Sequence, residues 1–153
     1  MPRFVRLILF LLLLAAIAAS GALFSPGPWY AALAKPAWTP PNWLFPPVWT
    51  LLYILIAVAG WLAWEVAAPG QRRKAFTVYG AQLVANFAWS WLVFGQHLLG
   101  WGLVDILLLF GLIAFNLVLF QRIRRLAGLL LWPYLLWVGY AATLNLGLVV
   151  MNG

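Results

Sequence analysis

The sequence predicts an all-α integral membrane protein: a five-helix transmembrane bundle with a structured Trp/Pro-rich loop between helices 1 and 2. Three observations carry this. The 153 residues are 67% hydrophobic and 7% charged, whereas soluble domains carry about 25% charged residues. Two acidic and nine basic residues cannot build a water-exposed surface, so lipid must be the main solvent. Five apolar stretches each reach the roughly 20 residues that a helix needs to cross the hydrocarbon core. The basic residues fall into the gaps between these stretches.

The stretches are residues 5–24, 44–67, 75–94, 101–120 and 126–151, within one domain spanning 1–153. Backbone polar groups in lipid must be paired internally, which helices of this spacing achieve. The last three connections are short, so consecutive helices are expected to be antiparallel neighbours. The first stretch, with Arg3 and Arg6 ahead of it and Ala18, Ala19, Ser20, Gly21 and Ala22 at its end, also has the outline of a secretory signal. Its apolar run of about 18 residues is long for one, and a retained helix is the expectation.

Charge placement orients the bundle. With five spans, Arg3 and Arg6, then Arg72, Arg73 and Lys74, then Arg122, Arg124 and Arg125 all fall on one side, and only Lys35 on the other. The positive-inside rule puts the N-terminus in the cytoplasm and the C-terminus outside. A bacterial cell envelope is expected, with that orientation holding if the membrane is the inner one. The net charge of +7 is dispersed among short loops, which argues against nucleic acid as a partner. Absence of cysteine and a single histidine, His97, exclude disulfides, thiolate chemistry and a haem held by two histidines of one chain. No metal ligand set is expected.

The connection over residues 25–43 differs from the others. Pro26, Pro28, Pro36, Pro40 and Pro41 forbid a continuous helix. Trp29, Tyr30, Trp38 and Trp43 suit either an interfacial aromatic belt or a lid over the mouth of the bundle.

Polar residues inside the spans are the informative ones. Gln82, Asn86 and Ser90 share one face of the third span at a spacing of four, and Asn116 and Asn145 extend the seam. They serve either as interhelical hydrogen-bonding groups or, with Phe87 and Trp89 beside them, as part of a pocket. Asp105, four residues from Trp101, reads either as an interfacial residue capping the fourth span or as a cavity contact. Ala81, Ala85 and Ala88 let helix backbones approach, within the chain or across a homodimer seam. Trp132-Pro133-Tyr134 opens the fifth span, where proline is tolerated in the first turn; Trp137, Gly139, Ala141 and Ala142 then form a groove beside a large ring. No nucleophile–base–orienter set and no phosphate-cradling glycine loop is present, so hydrolytic chemistry lacks candidates.

The segment WYAALAKPAWTPPNW, Trp29 to Trp43, resembles the first loop of the translocator protein family, also called tryptophan-rich sensory proteins or peripheral-type benzodiazepine receptors. FPPVWTLLY from Phe45, QLVANFAWSWLVF from Gln82, VDILLL from Val104 and WPYLLWVGYAATLN from Trp132 resemble its later helices, in order and over nearly the whole chain. The resemblance implies a five-helix bundle, often a homodimer, whose ligand cavity is closed by the first loop. It also implies that the ligand is a porphyrin or other tetrapyrrole, or another flat apolar molecule, with no cofactor required. By motif, Trp29, Tyr30, Trp49, Tyr53, Asn86, Trp89, Trp137 and Ala141 would line the site. Some bacterial relatives are reported to promote light-dependent porphyrin breakdown, and the matching tryptophans are Trp49 and Trp137; a scaffold with incidental binding is the third reading. The sterol-recognition pattern of animal members, a Tyr and then an Arg late in helix five, is replaced here by Leu146 and Val150, so sterol binding is not implied.

Overall fold

A computed structural model describes residues Met1–Gly153 and contains helices only. In chain order these are α1 (Arg3–Leu23), the short α2 (Pro28–Ala32), α3 (Phe45–Val66), α4 (Pro69–Ser90), α5 (Leu99–Ile123), the short α6 (Arg125–Leu129) and α7 (Trp132–Asn152). A 3₁₀ turn at Asn42–Leu44 leads into α3, and α4 runs straight into a π turn at Trp91–Gly95.

Four segments are long and apolar enough to cross a membrane: Arg3–Leu23, Asn42–Val66, Leu99–Ile123 and Arg125–Asn152. The expected third span differs. Its helix, α4, starts at Pro69 rather than at 75 because proline sits comfortably in a first turn. The Gln71 side chain accepts a hydrogen bond from the Ala68 amide (3.2 Å), which satisfies one end group. The helix therefore takes in Gln71, Arg72, Arg73 and Lys74, and with Gln82 and Asn86 further on it is the least apolar of the long helices. The fifth stretch also departs from expectation: it divides into α6 and α7 at Leu130–Leu131.

Pairwise contacts set the directions. Tyr79 of α4 donates to the Ile56 carbonyl of α3 (2.9 Å), and Tyr53 reaches Asn86, so α3 and α4 are antiparallel. Asn116 of α5 donates to the Ala75 carbonyl of α4 (3.5 Å), while Gly102 lies against Val93; this pair is antiparallel too. Arg6 of α1 pairs with Glu65 near the end of α3, and the α5–α7 pair is fixed by Asn145 donating to the Leu99 carbonyl (3.0 Å).

The arginine-rich end is tightly packed. Glu65 accepts from Arg6 Nη2 (2.9 Å) and Arg3 Nε (3.0 Å) as well as from Arg6 Nε. The Trp61 indole donates to the Arg3 carbonyl (3.1 Å). Phe76, Tyr79 and Phe120 form a ring cluster with centroids 5.3–5.6 Å apart, joined by Phe10 of α1. A Cβ placed on Gly60 would meet Tyr79 Oη at 2.7 Å and Phe10 at 2.9 Å, so only glycine lets α3 sit this close. The outward faces of α1 and α5 display Leu9, Leu12, Leu107 and Leu108, the side-chain chemistry that lipid tails accept.

Candidate functional site

The loop after α1 is anchored in four places. Asn152, in the last turn of α7, brackets Ala34: its Oδ1 accepts from the Ala34 amide (3.0 Å) and its Nδ2 donates to the Ala34 carbonyl (2.8 Å). Tyr140 donates to the Trp38 carbonyl. Pro36 is buried against Gly147, where any Cβ would collide with the proline ring. Tyr30, turned inward by α2, meets Phe94 edge-on at 5.5 Å. Lys35 donates to the Ala31 and Leu33 carbonyls and stands 4.8 Å from the Tyr30 ring. Burial pushes the Tyr30 hydroxyl pKa above its ordinary value, so this side chain stays neutral across the physiological range.

Beneath the loop lies a cavity of about 600 Å³. Tyr30 lines it from above. Phe45, Trp49 and Tyr53 of α3, Asn86 and Trp89 of α4, and Trp137, Val138 and Ala141 of α7 form its walls. The rings are mutually braced: Trp49 lies 5.5 Å from Tyr53 and 6.3 Å from Tyr134, and Phe45 packs edge-on against Trp137 at 5.8 Å.

A directed chain of hydrogen bonds supports the floor. Tyr53 donates to Asn86 Oδ1 (3.0 Å), Asn86 Nδ2 donates to the Tyr134 hydroxyl (2.9 Å), and Tyr134 donates to Gln82 Oε1 (2.7 Å). Gln82 and Tyr134 are fully buried; Gln82 Oε1 and both polar atoms of Asn86 are paired while Gln82 Nε2 is not, and since unpaired amides are expensive in an apolar medium the bonds that are made hold these side chains in place. Beside them Trp89 donates to Asn145 Oδ1 (2.9 Å). The indole Nε1–H of Trp137, a residue of the cavity wall, is likewise buried without a partner.

Seven of the eight residues expected at the site, namely Tyr30, Trp49, Tyr53, Asn86, Trp89, Trp137 and Ala141, thus meet at one cavity. Trp29 does not. Adjacent residues of a helical turn point in different directions, and with Tyr30 inward Trp29 stacks on His97 at 4.0 Å and 7°, away from the cavity. His97 has the left-handed backbone of a tight connection, φ 58°. Of the alanine seam, Ala85 is buried in the core, as packing within the chain requires, and Ala81 and Ala88 are half-buried; Val84 and Phe87 of α4 and Trp91 of the π turn are exposed. Asp105 caps nothing: α5 begins after Leu98 with no side-chain cap, and Asp105 Oδ2 is without a hydrogen-bond partner.

The contribution of α1 was not anticipated. Ala18, Gly21 and Ala22 line the cavity's side. These are the small residues that resemble a signal-cleavage pattern; here their smallness leaves room beside the rings. Tyr134, which in the sequence marks only a helix start, is the link between Asn86 and Gln82 of α4.

Helices with lipid-compatible faces around an aromatic cavity define a multi-pass membrane protein. Comparison with known proteins is consistent with this and specific. Residues 8–151 match the TspO/MBR family. A tryptophan-rich protein TspO from Chlorobaculum tepidum is 40% identical over 144 residues, covering 90% of this chain and 89% of the relative. The translocator protein of Homo sapiens is 41% identical over 120 residues (76% of this chain, 70% of the relative). Protein CrtK of Rhodobacter capsulatus is 37% identical over 135 residues (88% and 84%). The chain belongs to the TspO/MBR family.

Proposed function

We propose that this protein is a membrane receptor or transporter that binds tetrapyrroles, porphyrins above all, and other flat apolar molecules in the cavity beneath the loop. The observation that carries this reading is the cavity itself: about 600 Å³, inside the roughly 300–1,000 Å³ usual for small-molecule sites, and walled by indole and phenol rings. Such walls favour a planar conjugated ligand through offset and edge-on ring contacts. The Trp137 ring, packed edge-on against Phe45 at 5.8 Å, supplies one such wall. The names of the relatives, translocator and tryptophan-rich protein, agree with a role in moving or sensing such molecules.

In this reading α4 is the third of five spans. Its basic first turns lie at the headgroups, Asn86 is paired at both polar atoms inside the bundle, and its 22 residues extend about 33 Å at 1.5 Å per residue. The eight clustered cations face the cytoplasm. Membrane-impermeant labelling of Lys35→Cys and Arg73→Cys should modify the two positions from opposite sides; labelling of both from one side would remove α4 from the membrane.

Titration with protoporphyrin tests the ligand. Saturable quenching of tryptophan fluorescence is expected, with Trp137→Phe weakening binding about two- to tenfold, the worth of an aromatic contact of about 0.5–1.5 kcal/mol. Non-saturable quenching, or a variant indistinguishable from the parent, would refute the assignment. The location of both Trp49 and Trp137 on the cavity wall favours one second reading, light-dependent breakdown of the bound porphyrin. A new long-wavelength absorbance under illumination, lost in Trp49→Phe, is its signature.

A further inference from the structure

A second depression of about 390 Å³ lies apart from the ring-walled cavity, on the outer surface between α1 and α4. Phe10, Leu13 and Ile17 form one bank, Phe76, Leu83 and Val84 the other, with Trp64 and Gly80 also lining it. Its polar side-chain atoms are the Tyr79 hydroxyl, which is already committed to the Ile56 carbonyl, and the Trp64 indole N–H at one end. Beyond Trp64 the groove offers an occupant no free hydrogen-bonding side chain, and it suits a chain of methylenes. From Phe10 to Ile17 it runs about 10 Å along the helix axis, within the depth where lipid tails lie.

Its arginine-rich end is different. The Arg72 guanidinium sits 4.3 Å above the ring of Trp64, which lines the groove at that end. One terminal nitrogen donates to the Trp64 and Ala67 carbonyls (2.9 and 3.4 Å), while Nε has no partner. The one carboxylate in this region, Glu65, is occupied by Arg3 and Arg6. Arg72, Arg73 and Lys74 consequently stand together without a protein anion, where phosphate headgroups lie.

We propose that the α1–α4 groove seats an acyl chain of an anionic phospholipid whose headgroup phosphate is met by Arg72. The charge imbalance selects this occupant over a zwitterionic lipid, and the apolar side chains along the rest of the groove select a chain over a polar ligand. The inference requires the protein to lie in a bilayer but is independent of what the ring-walled cavity binds.

Native mass spectrometry of the detergent-purified full chain, offered equal phosphatidylglycerol and phosphatidylcholine with matched acyl chains, tests it. One phosphatidylglycerol should be retained about fivefold in preference, the ratio expected for one arginine beside an anionic headgroup. Arg72→Gln should equalise the two lipids while Arg72→Lys keeps the preference. A Cβ on Gly80 meets nothing within 4 Å, so Gly80→Phe puts a ring at the groove and should remove the bound lipid while leaving porphyrin quenching unchanged. Equal retention of both lipids by the parent protein would overturn the proposal. So would undiminished lipid in Gly80→Phe, or a lipid-free dimer that Gly80→Phe converts to monomer, since a second copy would then be the occupant.

Discussion

At the arginine-rich end, Gly60 brings α3 against Tyr79 and Phe10, three rings interlock, and one carboxylate binds two arginines. At the loop-covered end, the same helices hold rings apart around 600 Å³ of space. In lipid, helix association gains nothing from apolar burial as such and relies on close packing and hydrogen bonds. The contrast shows how one small bundle does both things: the packed half supplies the close contacts that the hollow half forgoes. The bundle directions are set at one end, so the other can stay open to an occupant.

Substitutions that fill space should separate the halves most clearly. Gly60→Leu forces a side chain into Tyr79 and Phe10, and a destabilisation of about 3 kcal/mol is expected, the upper part of the overpacking range; thermal unfolding in detergent measures it. Tyr134→Phe removes the hydroxyl between Asn86 and Gln82. A loss of about 1–2 kcal/mol is expected, as for strong interhelical hydrogen bonds in membranes, with porphyrin affinity falling as well because Asn86 loses its fixed orientation. Asn152→Ala releases the Ala34 backbone. About 0.5–1 kcal/mol is expected from the lost hydrogen bonds, seen as faster amide exchange confined to the loop while α3–α5 stay protected. Gly21→Leu, beside the cavity with no atom within 4 Å of the added Cβ, should leave the melting temperature unchanged and weaken ligand binding. If Gly21→Leu unfolds the protein as Gly60→Leu does, the two halves are not packed differently.

Much of this was legible in the residues. Apolar length and charge spacing reveal a helical membrane protein, because lipid imposes both constraints on the chain directly. The polar face of Gln82 and Asn86 was legible from its spacing, and the aromatic positions from the family motif. Trp29 was misplaced because a motif says that a tryptophan is present, not which way a short helix such as α2 turns it. The break between α6 and α7, and the start of α4 at Pro69, depend on end-group chemistry that hydropathy does not register. The α1 contribution was hidden by a composition that two different fates share. Asn152 escaped notice because its partner is a backbone 118 residues away.

The chain has one histidine, and its imidazole lies flat on the indole of Trp29. A ring held 4.0 Å above an indole sits in its magnetic shadow, so the His97 proton resonances should appear upfield of their free positions. No isotope scheme is needed to isolate them. As the loop lifts, they would drift back, making a single pair of lines a gauge of how often the roof of the molecule is open.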